Sequence, residues 1–304
     1  MQRIADFGHG LPPVCRLGLA TRGNTHLRAE DVEHAVERGI NYLNWCGKPD
    51  GMSRAVAELG ARRRDVVVAV QFQARTAPAA EKEFARILKE LGSDHLDIAT
   101  LYYVESEEEW RQITAPGGVW DVLQRFQQQG ALRMIGLTSH QRKLAAGWAQ
   151  QVVDRGTAGK AAASKPAAGA LARPESGPDE AQRYRLDMLM VRYNLAHRGA
   201  EREVFPAAVA RRMPVVTFTG LRWGALIKPT VHDPKNFRPP LASECYRFCL
   251  SNPAVSVALM APDNREHLEE NLRLLDDWRA SEPSEAQDLL AHGDRVHQHA
   301  SEFW

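Results

Sequence analysis

Short apolar runs rich in β-branched residues recur along the chain at 14–19, 40–43, 66–70, 96–101, 134–137, 186–191, 215–218 and 255–260. Each has the length of a strand and is mostly apolar on successive positions, the pattern of a strand buried on both faces. Between most of them lie segments with apolar residues at helical spacing, at 29–38, 80–91, 120–129, 142–153, 200–212 and 265–277. Strand and helix alternating in this way imply a parallel sheet with right-handed crossovers. Eight such units with no strand left over fit a closed (β/α)8 TIM barrel better than an open doubly wound sheet.

A chain of 304 residues is within the range of one such barrel, so residues 1–304 are expected to form a single domain. The rhythm breaks once, at 155–182, where RGTAGKAAASKPAAGALARPESG has no apolar period. Its composition is that of a flexible loop insertion. Following a helix, it should emerge at the N-terminal face of the barrel, away from a barrel's active-site end. The tail, 283–304, carries Leu289, Leu290, Val296 and Phe303 at loosely helical spacing and is expected to form a C-terminal helix outside the barrel.

Charge changes the picture by exclusion. Lys plus Arg number 39 against 38 Asp plus Glu, a net charge of +1, so no whole-molecule field draws the protein to nucleic acid or an anionic membrane. Arg62, Arg63 and Arg64, like Arg211 and Arg212, fall near helix C-termini, where cations complement the dipole. The four cysteines (Cys15, Cys46, Cys245, Cys249) form no CxxC pair and no metal spacing with histidine. No charged leader with an apolar core opens the sequence, and no run reaches about 18 apolar residues. A cytoplasmic protein with a small-molecule partner is expected, its oligomeric state unread. Motifs for zinc proteolysis, phosphate-binding loops and serine hydrolysis are absent from the sequence.

Several fragments, in order, carry a family resemblance: RLGLAT, HAVERGINYLNWC, RRRDVVVAVQ, LGSDHLDIATLY, GALRMIGLTSH, VRYNLAHRGAEREVFPAA and NPAVSVALMAPDNREHLEENL. The chain resembles the aldo-keto reductase superfamily over nearly its whole length. That resemblance implies a barrel in which a tyrosine protonates a substrate carbonyl while NADPH delivers hydride. A lysine paired with an aspartate lowers the tyrosine's pKa, and a histidine orients the substrate. This sequence departs at each position: Asn44 stands for the Asp, Pro49 for the Tyr, Gln71 for the Lys and Tyr102 for the His. A phenol needs a nearby cation to fall from a pKa of about 10, and an amide supplies none. Lys48, beside Pro49, could rebuild a pair with Tyr102 if its loop shifted, or could sit with Asp50 in a solvated turn. Tyr102 and Tyr103 are adjacent, so strand alternation sends at most one of them into the mouth. Cys46 has no visible activating partner and reads as core filler.

The cofactor positions of the family are better kept. Thr138 and Ser139 stand where a Ser-Asn pair holds the nicotinamide carboxamide, although Ser139 could equally cap the following helix. Met190 replaces a glutamine contact. Phe218 retains the aromatic face that stacks on the nicotinamide, or is a core aromatic. Gly220, Leu221 and Arg222 resemble the pyrophosphate-cradling loop. Arg265, opposed by Asp263, is the cation at the adenosine end, and Glu270 and Asn271 match the adenine contacts. The resemblance therefore implies NADP or NAD as cofactor.

Three functions remain open on the sequence: an NAD(P)(H)-linked oxidoreductase acting on a small carbonyl or alcohol by a nonstandard proton relay, a ligand-binding or regulatory barrel without turnover, and a lyase or isomerase in the same pocket.

Overall fold

The computed structural model describes residues 1–22, 26–150 and 185–298. Ten strands are present among them: β1 (Ile4–Ala5), β2 (Val14–Cys15), β3 (Leu17–Ala20), β4 (Tyr42–Trp45), β5 (Val67–Phe72), β6 (Leu96–Leu101), β7 (Leu132–Ser139), β8 (Met188–Arg192), β9 (Val215–Phe218) and β10 (Val257–Met260). Strands β3 to β10 close into a parallel barrel in sequence order, β10 returning to pair with β3. Each of the eight expected runs overlaps one barrel strand, because a strand enclosed by helices outside and side chains inside is largely apolar on both faces.

One run is divided. Residues 14–19 do not form a single strand: Val14 and Cys15 pair back, antiparallel, with Ala5 and Ile4, and the barrel strand begins at Leu17. Phe7, Leu11 and Val14 join the interior cluster with Tyr42, Ile98 and Met134, so the N-terminal hairpin closes the lower end of the barrel. Two-residue strands are too short to leave a period in the sequence.

The helices follow the expected order with altered ends. Ala29–Glu37, Ala77–Leu91 and Val119–Gln128 fall where the periodicity places them. The 200–212 segment is broken into Ala200–Glu203 and Phe205–Ala210, with Pro206 in the first turn of the second helix. Gly51–Glu58, Glu107–Thr114 and Ala242–Ser251 were not foreseen. The 155–182 insertion and residues 299–304 of the expected tail helix lie outside the described residues. The tail helix itself runs Pro283–Gln298. It packs Val296 against Leu195, Ala196, Leu226 and Cys245, so it braces the loops that follow β8 and β9. Arg63 of the basic run pairs with the buried Asp97 at 2.8 Å, a structural use of that charge. No helix among the described residues is long and apolar enough to cross a membrane.

Candidate active site

The inward side chains of a barrel strand recur at every second residue. Tyr42, Val67, Ile98, Met134, Met188, Val216 and Val257 make an apolar floor. One step toward the C-terminal ends the lining turns polar: Asn44, Thr100 and Thr138 stand on β4, β6 and β7, each buried to 1% exposure or less. Both side-chain atoms of Asn44 and the hydroxyls of Thr100 and Thr138 are buried without a hydrogen-bond partner. Leaving such groups unpaired costs roughly 1–3 kcal/mol each, a cost that sites accept when a ligand completes the bonds.

Above this layer opens a cavity of ≈ 560 Å³ lined by Asn44, Gln71, Tyr102, Thr138, Phe218 and the loop after β9, among others, within the usual size of a small-molecule pocket. A larger hollow of ≈ 720 Å³ lies beside the tail helix. Three of its arginines are engaged, Arg247 with Asp277, Arg279 with Glu285 and Arg295 with Asp233, at 2.8, 2.8 and 2.6 Å. The barrel mouth is the candidate site because its polar floor lacks partners and because barrel enzymes act at this end.

Tyr102 and Tyr103 both line the cavity, contrary to the expectation that at most one would. Strand β6 ends at Leu101, so alternation no longer governs the pair, and Tyr103 takes a left-handed φ of 47°. Arg75 holds this turn by donating from Nη2 to the Tyr102 carbonyl at 2.5 Å. The two rings stack at 3.9 Å between centroids. The Tyr103 ring also lies 4.7 Å from that of His140 and 6.3 Å from that of Phe218. Burial, then its neighbour Tyr102, raises the Tyr103 phenol above its ordinary value, so it stays protonated at neutral pH and is a weaker acid than a free phenol.

The β4 loop contributes Cys46 and Lys48 to the lining. Asp50 caps the helix Gly51–Glu58, accepting from the Ser53 amide at 3.0 Å. The Lys48 carbonyl accepts from the Trp45 indole at 2.8 Å. The Cys46 thiol is 3.6 Å from an Asp50 carboxylate oxygen, and burial raises its pKa, which leaves it a poor nucleophile. Pro49 is exposed and stands off the cavity lining.

Of the positions that the resemblance assigns to a cofactor, Thr138, Phe218, Gly220, Leu221, Glu270 and Asn271 come together on the cavity wall, with Met190 beside them. Gly220 approaches the Tyr246 ring so closely that a Cβ there would be 2.8 Å from it. The loop continues through left-handed φ angles at Thr219, Arg222, Trp223 and Gly224. Ser139, Arg222 and Arg265 are not brought to the cavity lining. The Ser139 hydroxyl accepts from the Gln141 amide at 2.9 Å, at the entry to the helix Arg142–Gln150. Arg265 is held by Glu269 at 2.7 Å and by Asp31 at 3.4 Å. Asp263 pairs with Arg22. Arg222 is buried, and its Nε has no hydrogen-bond partner.

The sequence model of the aldo/keto reductase family matches residues 16–240. The chain belongs to this family. Among solved structures, aldo-keto reductase AKR11C1 from Bacillus halodurans, in its holo form, superposes with a TM-score of 0.68 at 14% identity, covering 96% of this chain and 96% of its own. An aldo-keto reductase from Klebsiella pneumoniae in complex with NADPH superposes with a TM-score of 0.66 at 15% identity, covering 93% and 92%. No curated protein matches the sequence. At such identities the likeness is one of fold.

Sequence reasoning passed over three residues near this aldo/keto reductase mouth. Lys228 lines the cavity on the β9 loop beside Trp223. His140 and Arg192 extend the inward alternation of β7 and β8, in step with Thr138 and with Met188 and Met190. Counting inward positions beyond the last apolar residue of each run would have found the latter two. Among the described residues no group of three or more His, Cys, Asp or Glu is placed to hold a metal.

Proposed function

We propose that this protein is a nicotinamide-linked oxidoreductase acting on a small carbonyl or alcohol substrate, with the proton handled by the Tyr102–Tyr103 pair in place of the family's tyrosine and lysine. The observation that carries the reading is the unpartnered polar floor of Asn44 and Thr138 beneath the Phe218 face, in one cavity. The residues fit a nicotinamide cofactor, NADP or NAD. Thr138 offers a hydroxyl to the carboxamide, Phe218 a π-face to the ring, Gly220 and Leu221 a close backbone, and Lys228 a cation toward the phosphates. Glu270 and Asn271 line the same wall toward the adenosine end. When bound, the cofactor supplies the hydride.

The chain's own part is to bind, orient and move the proton. The Asn44 amide, with donor and acceptor both free, orients the substrate oxygen. Gln71 closes the β5 side without charge. A hydroxyl of the Tyr102–Tyr103 pair donates its proton to the substrate oxygen as charge develops there, a step worth typically 10²–10⁴-fold. Arg265, already neutralised by Glu269 and Asp31, lends no specific preference for a 2′-phosphate.

A second reading, a ligand-binding barrel without turnover, draws on the place of Pro49, which offers neither a phenol nor a position on the cavity wall. The experiment that separates the readings is calorimetric titration with NADPH and with NADH, followed by a screen of carbonyl substrates. Micromolar binding that is weakened at least tenfold in Phe218→Ala and Lys228→Ala, with turnover, supports the oxidoreductase. Binding without turnover of any carbonyl supports the second reading, and binding of neither cofactor removes the first.

A further inference from the structure

The loop after β9 is held from outside the barrel. Its residues Ile227 and Lys228 line the mouth cavity, yet from Lys228 to His232 the chain is exposed or half-buried, and Val231 is 89% exposed. Burial does not fix this stretch, and a segment with so few packed neighbours opens easily unless something else fastens it. The tail helix Pro283–Gln298 reaches it with one turn, His292 to Arg295.

The His292 side chain is fully buried. Its Nε2 donates to the Leu226 carbonyl at 3.0 Å, directly before the two lining residues. Its Nδ1 lies 3.3 Å from a carboxylate oxygen of Asp233, just beyond the exposed stretch. Arg295 donates from Nε to the same oxygen at 2.6 Å, and the Thr230 N–H donates to the other. The Phe237 ring packs on the His292 ring at 4.9 Å and against the Arg295 guanidinium at 5.0 Å. One imidazole fastens both ends of the stretch, a task suited to a rigid ring with polar atoms on two edges. Gly293, beside it, lies against the Leu195 backbone, so the turn cannot shift without leaving the β8 loop as well.

A loop ordered before its ligand arrives loses less entropy on binding. We infer that His292 is a positioning residue of the barrel mouth: the docked tail helix holds the 226–233 stretch in the shape that presents Lys228, so tail docking and ligand binding at the mouth strengthen one another. His292 is off the cavity lining and acts only through the loop. The inference rests on the oxidoreductase reading for the identity of the ligand, a nicotinamide dinucleotide whose phosphates meet Lys228; the fastening itself needs no ligand. Coupling of this kind is reciprocal, so whatever the tail adds to ligand affinity, bound ligand adds to tail docking.

The test combines amide exchange and calorimetry on the full chain. His292→Phe keeps a ring and removes both nitrogens. In the free variant the amides of 226–233 are expected to exchange about tenfold faster than in the wild type, with strands β5 to β7 unchanged. NADPH is expected to bind it about fivefold more weakly or worse. His292→Gln, whose amide can still donate to the Leu226 carbonyl, is expected to keep part of both properties. In the wild type, saturating NADPH is expected to slow exchange across Pro283–Gln298. Unchanged exchange at 226–233 in His292→Phe overturns the inference, and so does NADPH affinity equal to that of the wild type. If His292→Phe fails to fold, the wild type decides: tail-helix amides indifferent to bound NADPH overturn the inference, and slowed ones uphold it. A wild type that binds no nicotinamide sinks the oxidoreductase reading, while faster exchange at 226–233 in free His292→Phe would leave the fastening by His292 standing.

Discussion

The ring of Tyr103 lies on that of Tyr102, 3.9 Å between centroids and 24° from parallel, at the point where β6 gives way to a left-handed turn. The stack places two phenols in the cavity at a position where the sequence alone allowed one. If Tyr102 is the donor, Tyr102→Phe should lower kcat for carbonyl reduction by about 10²–10⁴-fold with NADPH affinity unchanged. Tyr103→Phe keeps the stacked ring and should raise KM more than it lowers kcat. Steady-state kinetics on the two variants check the division, and a reversed pattern would make Tyr103 the donor.

Asn44 holds an unpaired amide at 1% exposure. Replacing it by leucine, of similar size, removes the desolvation cost, so Asn44→Leu should raise the unfolding free energy by about 1–2 kcal/mol while weakening ligand binding. Urea unfolding monitored by circular dichroism gives the first quantity and calorimetry the second. A destabilised variant would mean that the amide is satisfied in the free protein.

Burial, and then Arg192, pushes His140 down to about 4; burial and the same arginine push His197 down to about 3. An unfolded histidine titrates near 6.5, so between these values the unfolded chain binds more protons than the folded one. Stability should be full above about pH 7 and decline as the pH is lowered toward 4. The urea midpoint of wild type at pH 7.5 and 5, set against that of His140→Phe, measures the effect. The variant should lose less on acidification, and an identical loss would show that His140 is not a source of it.

Gly293 faces the backbone of the β8 loop so closely that a Cβ would sit 2.4 Å from the Leu195 carbonyl oxygen. A helix cannot yield to a backbone clash by a side-chain rotation, so Gly293→Ala should unseat the tail helix at a cost of roughly 1–3 kcal/mol. Faster amide exchange across Pro283–Gln298, with the barrel strands still protected, is the expected signature.

The eight apolar runs were legible because a barrel strand is apolar over most of its length on both faces, and that demand is written locally. The divided run at Val14 to Leu17 was not, since the pairing of Cys15 with Ile4 leaves no period in two residues. The same holds at the site. Asn44, Gln71, Tyr102, Thr138 and Phe218 were named through the family resemblance, and the fold brings them into one cavity. The sequence could not say that Arg265 would be consumed by Glu269 and Asp31, 234 residues separating it from Asp31. The order of strands and the barrel were determined by the sequence, because each depends on residue type at a fixed place along the chain. Which charges are spent on one another and which polar groups lack partners was decided by the tertiary structure, because Coulomb interactions and hydrogen bonds depend on distance in space, which closing the barrel sets.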